Sequence, residues 1–566
     1  MGEAEKSSEF RKELNSWEKK VKAKPELLDA EGKKYLTDSG IPVKPLYTPK
    51  DLEAIGFDYS KNLGFPGGFP FTRGNREAGY REGGIRAKQY IGYGSAEETN
   101  ELYKNMIKQG NQTISIAYDL PTQSGYDSDD PRVAGEVGKI GVPVCSLKDW
   151  EIIFDGINLE KVRVDSVCNA QASVALAWHI SMAEKQGANL ASLTGLTQND
   201  ILKEYIARGN YIFPPEPSMR LAADMIVYSR GKVPSYTPLY FCPYHIREAG
   251  SNAVQEIAFA LSNAIAYIDC VLQRGLPVDD IASRMSCLIT GRHRDFMEEI
   301  AKLRAIRFLW TKILKERYGA KNPESFKLRM WDYEGGIGFT REQPEINIAR
   351  AAIAAVVGAM AGVEDLGLCT MDETLGIPGQ KSLTIALRTT QIVMNETGIS
   401  NVVDPMGGSY YLESLTHEIA TRAEKIIEEV DRLGGMVRAI ELGFPQGEIA
   451  QSAHNYQKRI DSGEYPIVAQ NMFRSEEAQE IRAFYRSKES MIERHMQRLK
   501  QLKKERNNQK VQSTLDALKR VAEKPAGNEN NLMPPIIDAV QAYATVGEIC
   551  GVLREVFGEY QEITGV

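Results

Sequence analysis

His245 and Arg208 are the two residues of this sequence best suited, by type and context, to do chemistry. His245 follows Tyr244 at the end of the apolar run PLYFCPYH. If that run is a strand, the imidazole stands at a strand's C-terminal end, where parallel α/β barrels carry their catalytic groups. A histidine packed in the core would look the same in sequence. Arg208 lies in KEYIARGNYIFPP. Its planar guanidinium can grip a carboxylate through two parallel charge-assisted bonds, although a surface helix is the commoner fate of an arginine. Metal chemistry has less support. His179, His245, His293, His417, His454 and His495 form no HExxH or other zinc-ligand spacing. Cys145, Cys168, Cys242, Cys270, Cys287, Cys369 and Cys550 contain no CxxC pair, which fits a reducing cytoplasm better than a zinc ribbon or redox motif. No metal site is expected on this chain.

These side chains need a scaffold. From about residue 46 to 475 the chain alternates short apolar strands with longer helical patterns. Strands are predicted at about Thr113–Tyr118 and Val162–Cys168, and within PLYFCPYH, SRMSCLITG, SFKLRMWDY and EDLGLCTM, with NVVDPMGG as a last short element. Helical patterns such as ASVALAWHISMAEKQ and NAVQEIAFALSNAIAYIDCVLQR follow them. Such alternation means repeated βαβ units and a parallel sheet. The number of units favours a closed (β/α)8 TIM barrel over an open doubly wound sheet, and no GxGxxG follows an early strand. Residues 1–45 are expected to form an N-terminal arm, and 476–566 a helical C-terminal extension. The extension opens with a basic helical run, crosses the linker PAGNENNLMPP and ends in amphipathic helices that must pack on the barrel or on another subunit.

Several strands put small or polar residues on alternate positions: Thr113, Ser115 and Ala117, then Ser166 and Cys168, then Ser286. Period-2 spacing puts each set on one face. Facing inward, they would leave a bore wide enough for an extended ligand; facing outward, they would merely contact helices. The net charge of −7 provides no positive field for nucleic acid or an anionic membrane. The N-terminus is polar, without the apolar stretch of a signal peptide, and no uninterrupted apolar run reaches about 18 residues. A cytoplasmic location is expected.

The blocks FPFTRG, KQYIGYGSAEETN, AYDLPTQSGYDSDDPRVAGEVGKIGV, QNDILKEYIARGNYIFPPEPSMR, YHIREAG, AKLRAIRFLW, RTTQIV, DPMGGSYYLE and RIDSGEYP follow one another from about Tyr47 to Met472. In these motifs the chain resembles large chains of the methylmalonyl-CoA mutase family. The resemblance implies a (β/α)8 barrel whose bore admits the CoA arm. It implies an adenosylcobalamin-dependent radical rearrangement, a reversible exchange of a hydrogen and the thioester group in a carboxylated acyl-CoA of methylmalonyl/succinyl type. His245, beside Tyr244, would hydrogen-bond the thioester carbonyl, and Arg208 would hold the substrate carboxylate. Tyr90 would stand between substrate and adenosyl group, Ala117 would line that region, and Glu373 would contact the adenosyl ribose. Gln198, Arg284, Ser286 and Ser115 match positions that line substrate and CoA. Members acting on 2-hydroxyacyl groups carry a smaller aliphatic residue in place of Tyr90 and an aspartate in place of Ala117, so this pair, with Arg208, favours the methylmalonyl type. The segment NLMPPIIDAVQAYATVGEI resembles the end of the large chain in split members, and no histidine lies in DxHxxG, the cobalt-ligand motif of fused members. A separate small cobalamin-binding subunit is therefore expected to supply the cobalt ligand, with a homodimer of large subunits inside a heterotetramer.

The chain departs from the family pattern around the substrate. Arg76, Gly79 and Gly83 replace a Tyr, a Met and an Arg, and Arg86 and Lys88 follow. Arg76 and Lys88 keep positive charge on the CoA side. The two glycines predict room for a bulkier acyl chain such as an alkylsuccinyl-CoA. Trp331 and Tyr333 replace a His and a Gln and can refill that volume; Cys369 takes the place of a ribose-contacting Asn. Two other functions stay open. A metal-dependent barrel lyase would need clustered carboxylates or histidines at strand ends. A non-catalytic binding partner of a mutase would need none of this chemistry.

Overall fold

The computed structural model describes residues 3–22, 35–108, 113–475 and 489–562. Its strands are β1 (Arg86–Ala87), β2 (Tyr90–Ile91), β3 (Thr113–Ile116), β4 (Arg163–Ser166), β5 (Gly195–Thr197), β6 (Tyr236–Thr237), β7 (Leu239–Phe241), β8 (Met285–Ile289), β9 (Arg329–Tyr333) and β10 (Asp365–Gly367). They pair in parallel as two five-stranded sheets, β1-β10-β9-β8-β7 and β2-β3-β4-β5-β6. Only Lys88 and Gln89 separate β1 from β2, and only Pro238 separates β6 from β7. Proline has no N–H to give to a ladder, which is a physical reason for the second break. The strands thus form two parallel sheets whose ladders stop at these two segments, and the expected closed ring is not formed among the described residues.

The sequence pattern misses β1, β2, β5 and β6, which are too short to display a period, and NVVDPMGG gives only Asn401 to a 3-10 turn at Ile399–Asn401 and continues as bends and turns instead of a strand. Helices cover the outer faces. Ala253–Leu272 is long and apolar enough to cross a membrane, but it lies inside the body against Phe296–Glu316 and Tyr410–Arg432. Asn252 and Gln255 close its first turn with a reciprocal capping box. The helices of the extension, among them Asn508–Ala522 and Met533–Gln541, pack on one another and on Ala172–Lys185. Arg220 fastens them further, donating to the carbonyls of Val521, Ala522, Lys524 and Asn530 at 2.8–3.2 Å. Residues 476–488 of the basic run and 23–34 of the arm lie outside the described residues.

The registers settle which face each strand turns to the axis. The Ser166 hydroxyl meets the Tyr118 hydroxyl at 3.1 Å, and Tyr118 lies against Trp178 of the outer helix Ala172–Lys185. Ser166 therefore looks outward, and Cys168 joins the same outer core. Their expected inward alternative is corrected: Asp165 and Val167 occupy the inner face, since a shift of one residue exchanges the faces of a strand. Ser115 lies level with Tyr90 and Asp165 across the sheet, and Ser286 level with Tyr240.

Candidate active site

His245 sits on the short helix Pro243–Glu248, which starts two residues after β7 with proline at its first position. Its Nδ1 lies 3.1 Å from Lys203 Nζ and 3.3 Å from Cys242 Sγ. Lys203 donates to Glu204 Oε1 at 2.6 Å, and Arg208 Nη1 donates to the same oxygen at 3.1 Å. Residues Glu204–Arg208 form a π-helical turn closed by Gly209 in the left-handed conformation (φ 78°). That wide turn lets cations five residues apart reach one carboxylate. The second Arg208 arm donates to Gln123 Oε1 at 2.7 Å. Asn169 bridges Glu204 to Gln198, whose Oε1 it reaches at 3.0 Å. Half-buried His245 and Arg208 are thus joined through the buried pair Lys203 and Glu204 in one cluster at the C-terminal ends of β5 and β7.

The electrostatics of the cluster are asymmetric. Burial, helped by the charges of Lys203 and Arg208, holds the His245 ring well below the usual imidazole range. It is neutral at neutral pH. Burial alone would raise the Glu204 carboxyl, but the same two cations outweigh it and keep Glu204 below its usual value.

Aromatic rings surround the cluster. Tyr90, on β2, has its phenol pushed up to about 12 by burial, against the opposing charge of Arg208. Tyr244 stands edge-on to His245 at 5.0 Å and to Tyr333 at 5.8 Å. Behind these rings, Glu373 is raised to about 7 by burial and by Glu248, and burial raises Glu248 in turn. Buried Thr370 Oγ1, Asp372 Oδ1 and both Glu334 carboxylate oxygens have no hydrogen-bond partner within the protein. Ala117 packs against Gly92, where a side chain would collide with the Ala117 backbone.

Other sequence-predicted residues lie elsewhere. Arg284 donates to the carbonyls of Ser229, Val233 and Tyr236, so it ties down the end of helix Pro215–Lys232 and does not face the cluster. Arg76 turns back onto the carbonyls of Glu82 and Gly84, beside the residues that lead into β10. Gly79 packs against Val403 at that same N-terminal end of the strands. Gly83 has open space around it. Neither glycine enlarges a pocket beside His245, so the predicted extra acyl room has no support there. Arg76 and Arg284, expected on the CoA side and in the lining of substrate and CoA, thus lie away from the His245 cluster.

Large side chains stand on the inner side of the strands. Lys88 pairs with Asp165, and its Nζ lies 3.8 Å from the centre of the Trp331 ring and 5.6 Å from that of Tyr240. Leu196, Tyr240, Leu288 and Trp331, from four strands, form an inner cluster separate from the main core. Of the two readings, a bore lined by all the small strand residues does not hold: Ser166 and Cys168 face outward, while Lys88, Tyr240 and Trp331 pack together on the inner side. Ser115 Oγ, Tyr240 OH, Trp331 Nε1 and Gln198 Nε2 are buried there without hydrogen-bond partners.

The methylmalonyl-CoA mutase family model matches residues 36–559. The chain belongs to this family. It is 40% identical to the methylmalonyl-CoA mutase of Rhizobium meliloti over 556 residues, 98% of this chain and 76% of that protein. It is 39% identical to the human mitochondrial methylmalonyl-CoA mutase over 525 residues, 93% of this chain and 69% of that one. It is 38% identical to the 2-hydroxyisobutanoyl-CoA mutase large subunit of Aquincola tertiaricarbonis over 560 residues, 98% of both chains. The protein is therefore an acyl-CoA mutase, an isomerase. Among the described residues of this mutase, no three His, Cys, Asp or Glu side chains gather as a metal site. Lys203, Glu204, Gln123 and Glu248 were not singled out from sequence. Their signal was present, since all lie in the blocks LPTQSG, QNDILKEY and YHIREAG that carry the family resemblance.

Proposed function

We propose that this mutase interconverts methylmalonyl-CoA and succinyl-CoA, or a closely similar carboxylated pair, with adenosylcobalamin held by a separate small subunit. The observation that carries this is the joining of Arg208 to His245 through Lys203 and Glu204. One end of the cluster suits a carboxylate, the other a thioester oxygen. Arg208 turns its free N–H groups to the carboxylate. Neutral His245 donates a hydrogen bond to the carbonyl oxygen, which gains charge as the thioester group migrates. The rings of Tyr90 and Tyr244 keep water from the reacting carbons. Glu373, with the unpartnered oxygens near it, suits the hydroxyls of an adenosyl ribose. When bound, adenosylcobalamin supplies the hydrogen-abstracting radical chemistry.

The two sheets are taken as halves of one (β/α)8 barrel, with residues 86–91 and 236–241 as two bent strands. A relative of the same extent bears the name of a large subunit, which supports a small cobalamin-binding partner for this chain. Reconstitution of the full chain with such a subunit and adenosylcobalamin is the test. Succinyl-CoA should be converted, and an alkylsuccinyl-CoA or 2-hydroxyisobutyryl-CoA should react far more slowly. Turnover confined to either of the latter would remove the proposed substrate.

The large side chains on the inner side of the strands have to move if the CoA arm threads between the strands. Trp331→Ala, and Trp331→His as a milder change, should speed association of succinyl-CoA about tenfold in stopped-flow mixing, since a required rearrangement slows binding. Unaltered rates in both variants would mean that the arm takes another route.

A further inference from the structure

We propose that Lys203 is a positioning residue for His245: it fixes the imidazole with its hydrogen on Nε2, pointing that N–H at the thioester oxygen. The role toward the thioester rests on the function proposed above; the ring's tautomer does not.

An ammonium group has donors and no acceptor. Lys203 Nζ lies 3.1 Å from His245 Nδ1, so Nδ1 must accept and the neutral ring must carry its hydrogen on Nε2. Cys242 Sγ, at 3.3 Å from the same nitrogen, is a weak donor and adds little. Lys203 is itself immobilised. It and Glu204 are completely buried, and their contact is 2.6 Å. Glu204 in turn accepts from Asn169, from Arg208 and, through Oε2, from the Asn210 backbone at 3.0 Å. The lysine therefore has no freedom to follow the ring; the ring follows the lysine. The same carboxylate anchors Arg208, so the spacing between the two ends of the substrate is set by one rigid unit.

The charged and titratable groups around His245 are Lys203, Arg208, Glu204, Cys242 and Tyr244. Burial and the two cations hold the ring neutral. Removing the Lys203 charge relaxes one of those influences, so the ring's protonation must move upward, toward the ordinary histidine range.

The test uses the full chain labelled with [15N]histidine, with Lys203→Met and Lys203→Arg variants and His245→Asn to assign the signal. Wild type should give the Nε2–H pattern in long-range 1H–15N spectra, unchanged from pH 6 to 8. Lys203→Met should show mixed tautomers and a titration that has moved upward. Its kcat should fall about ten- to a hundredfold, as when other tautomer-fixing partners are removed, with KM little altered. Lys203→Arg keeps a donor and should restore the Nε2–H pattern and part of kcat. An Nδ1–H ring in the wild type, or an unperturbed ring in Lys203→Met, would overturn the proposal. The expected tautomer in a reconstituted wild-type enzyme that turns over no acyl-CoA would overturn the proposed reaction and with it the role toward the thioester.

Discussion

Arg208→Gln lowers kcat/KM for succinyl-CoA by about a hundred- to a thousandfold, the range set by truncating one partner of a buried, hydrogen-bonded charge pair. The loss follows from geometry. Arg208 reaches Glu204 with one arm and Gln123 with the other, so it is held in place before any substrate arrives. Glutamine keeps a donor but neither the charge nor the fork. Arg208→Lys should recover only a fraction, because a point charge cannot make the bidentate contact. The decisive measurement is selectivity. An acyl-CoA with no free carboxylate should be equally poor for wild type and variant. If the variant loses activity on both kinds of substrate to the same degree, Arg208 supports the fold and not the carboxylate.

His245→Ala should cut kcat about a hundred- to a thousandfold, as loss of a single preorganised donor to a developing oxyanion does. KM should change little, since the carbonyl of the ground state carries less charge. The pH dependence separates this role from acid catalysis. The ring is held well below the usual imidazole value by burial and by Lys203 and Arg208, so it is neutral throughout pH 6–8. Wild-type kcat should therefore show no limb near the ordinary histidine pKa of about 6.5. A kcat that falls as pH rises through that value would require a protonated ring and would discard the neutral-donor role.

Both effects depend on groups that the sequence displays without explaining. PLYFCPYH reads as a strand followed by a histidine, and KEYIARGNY as a helix with an arginine; each has an unremarkable alternative. Their blocks suggested the family and the roles. The link between them, Lys203 to Glu204, occupies adjacent positions in QNDILKEY, where charged neighbours look like any solvated helix face. Only the π-helical turn, which brings Lys203 and Arg208 onto one buried carboxylate, distinguishes them.

The bore illustrates the opposite failure. The small residues Ser115, Ser166, Cys168 and Ser286 allow a hollow centre if they face inward and mere helix contacts if they face outward. Asp165 takes the inner face instead, and Lys88 comes from the break between β1 and β2 to meet it. Gly79 and Gly83 suggested an enlarged acyl pocket, yet Gly79 packs against Val403, more than three hundred residues away in the chain, at the far end of the strands.

Sequence alone determined the alternation of strand and helix, and hence parallel pairing, because period and turn chemistry act over a few residues. It determined as well the residue types available for a carboxylate and a carbonyl oxygen. Tertiary structure decided which face of each strand meets the axis, since a period of two names two faces without choosing between them. It decided that His245 is neutral, and that Trp331 and Lys88 pack together on the inner side of the strands, because burial and charge pairing arise between residues distant in the chain, which no local pattern records.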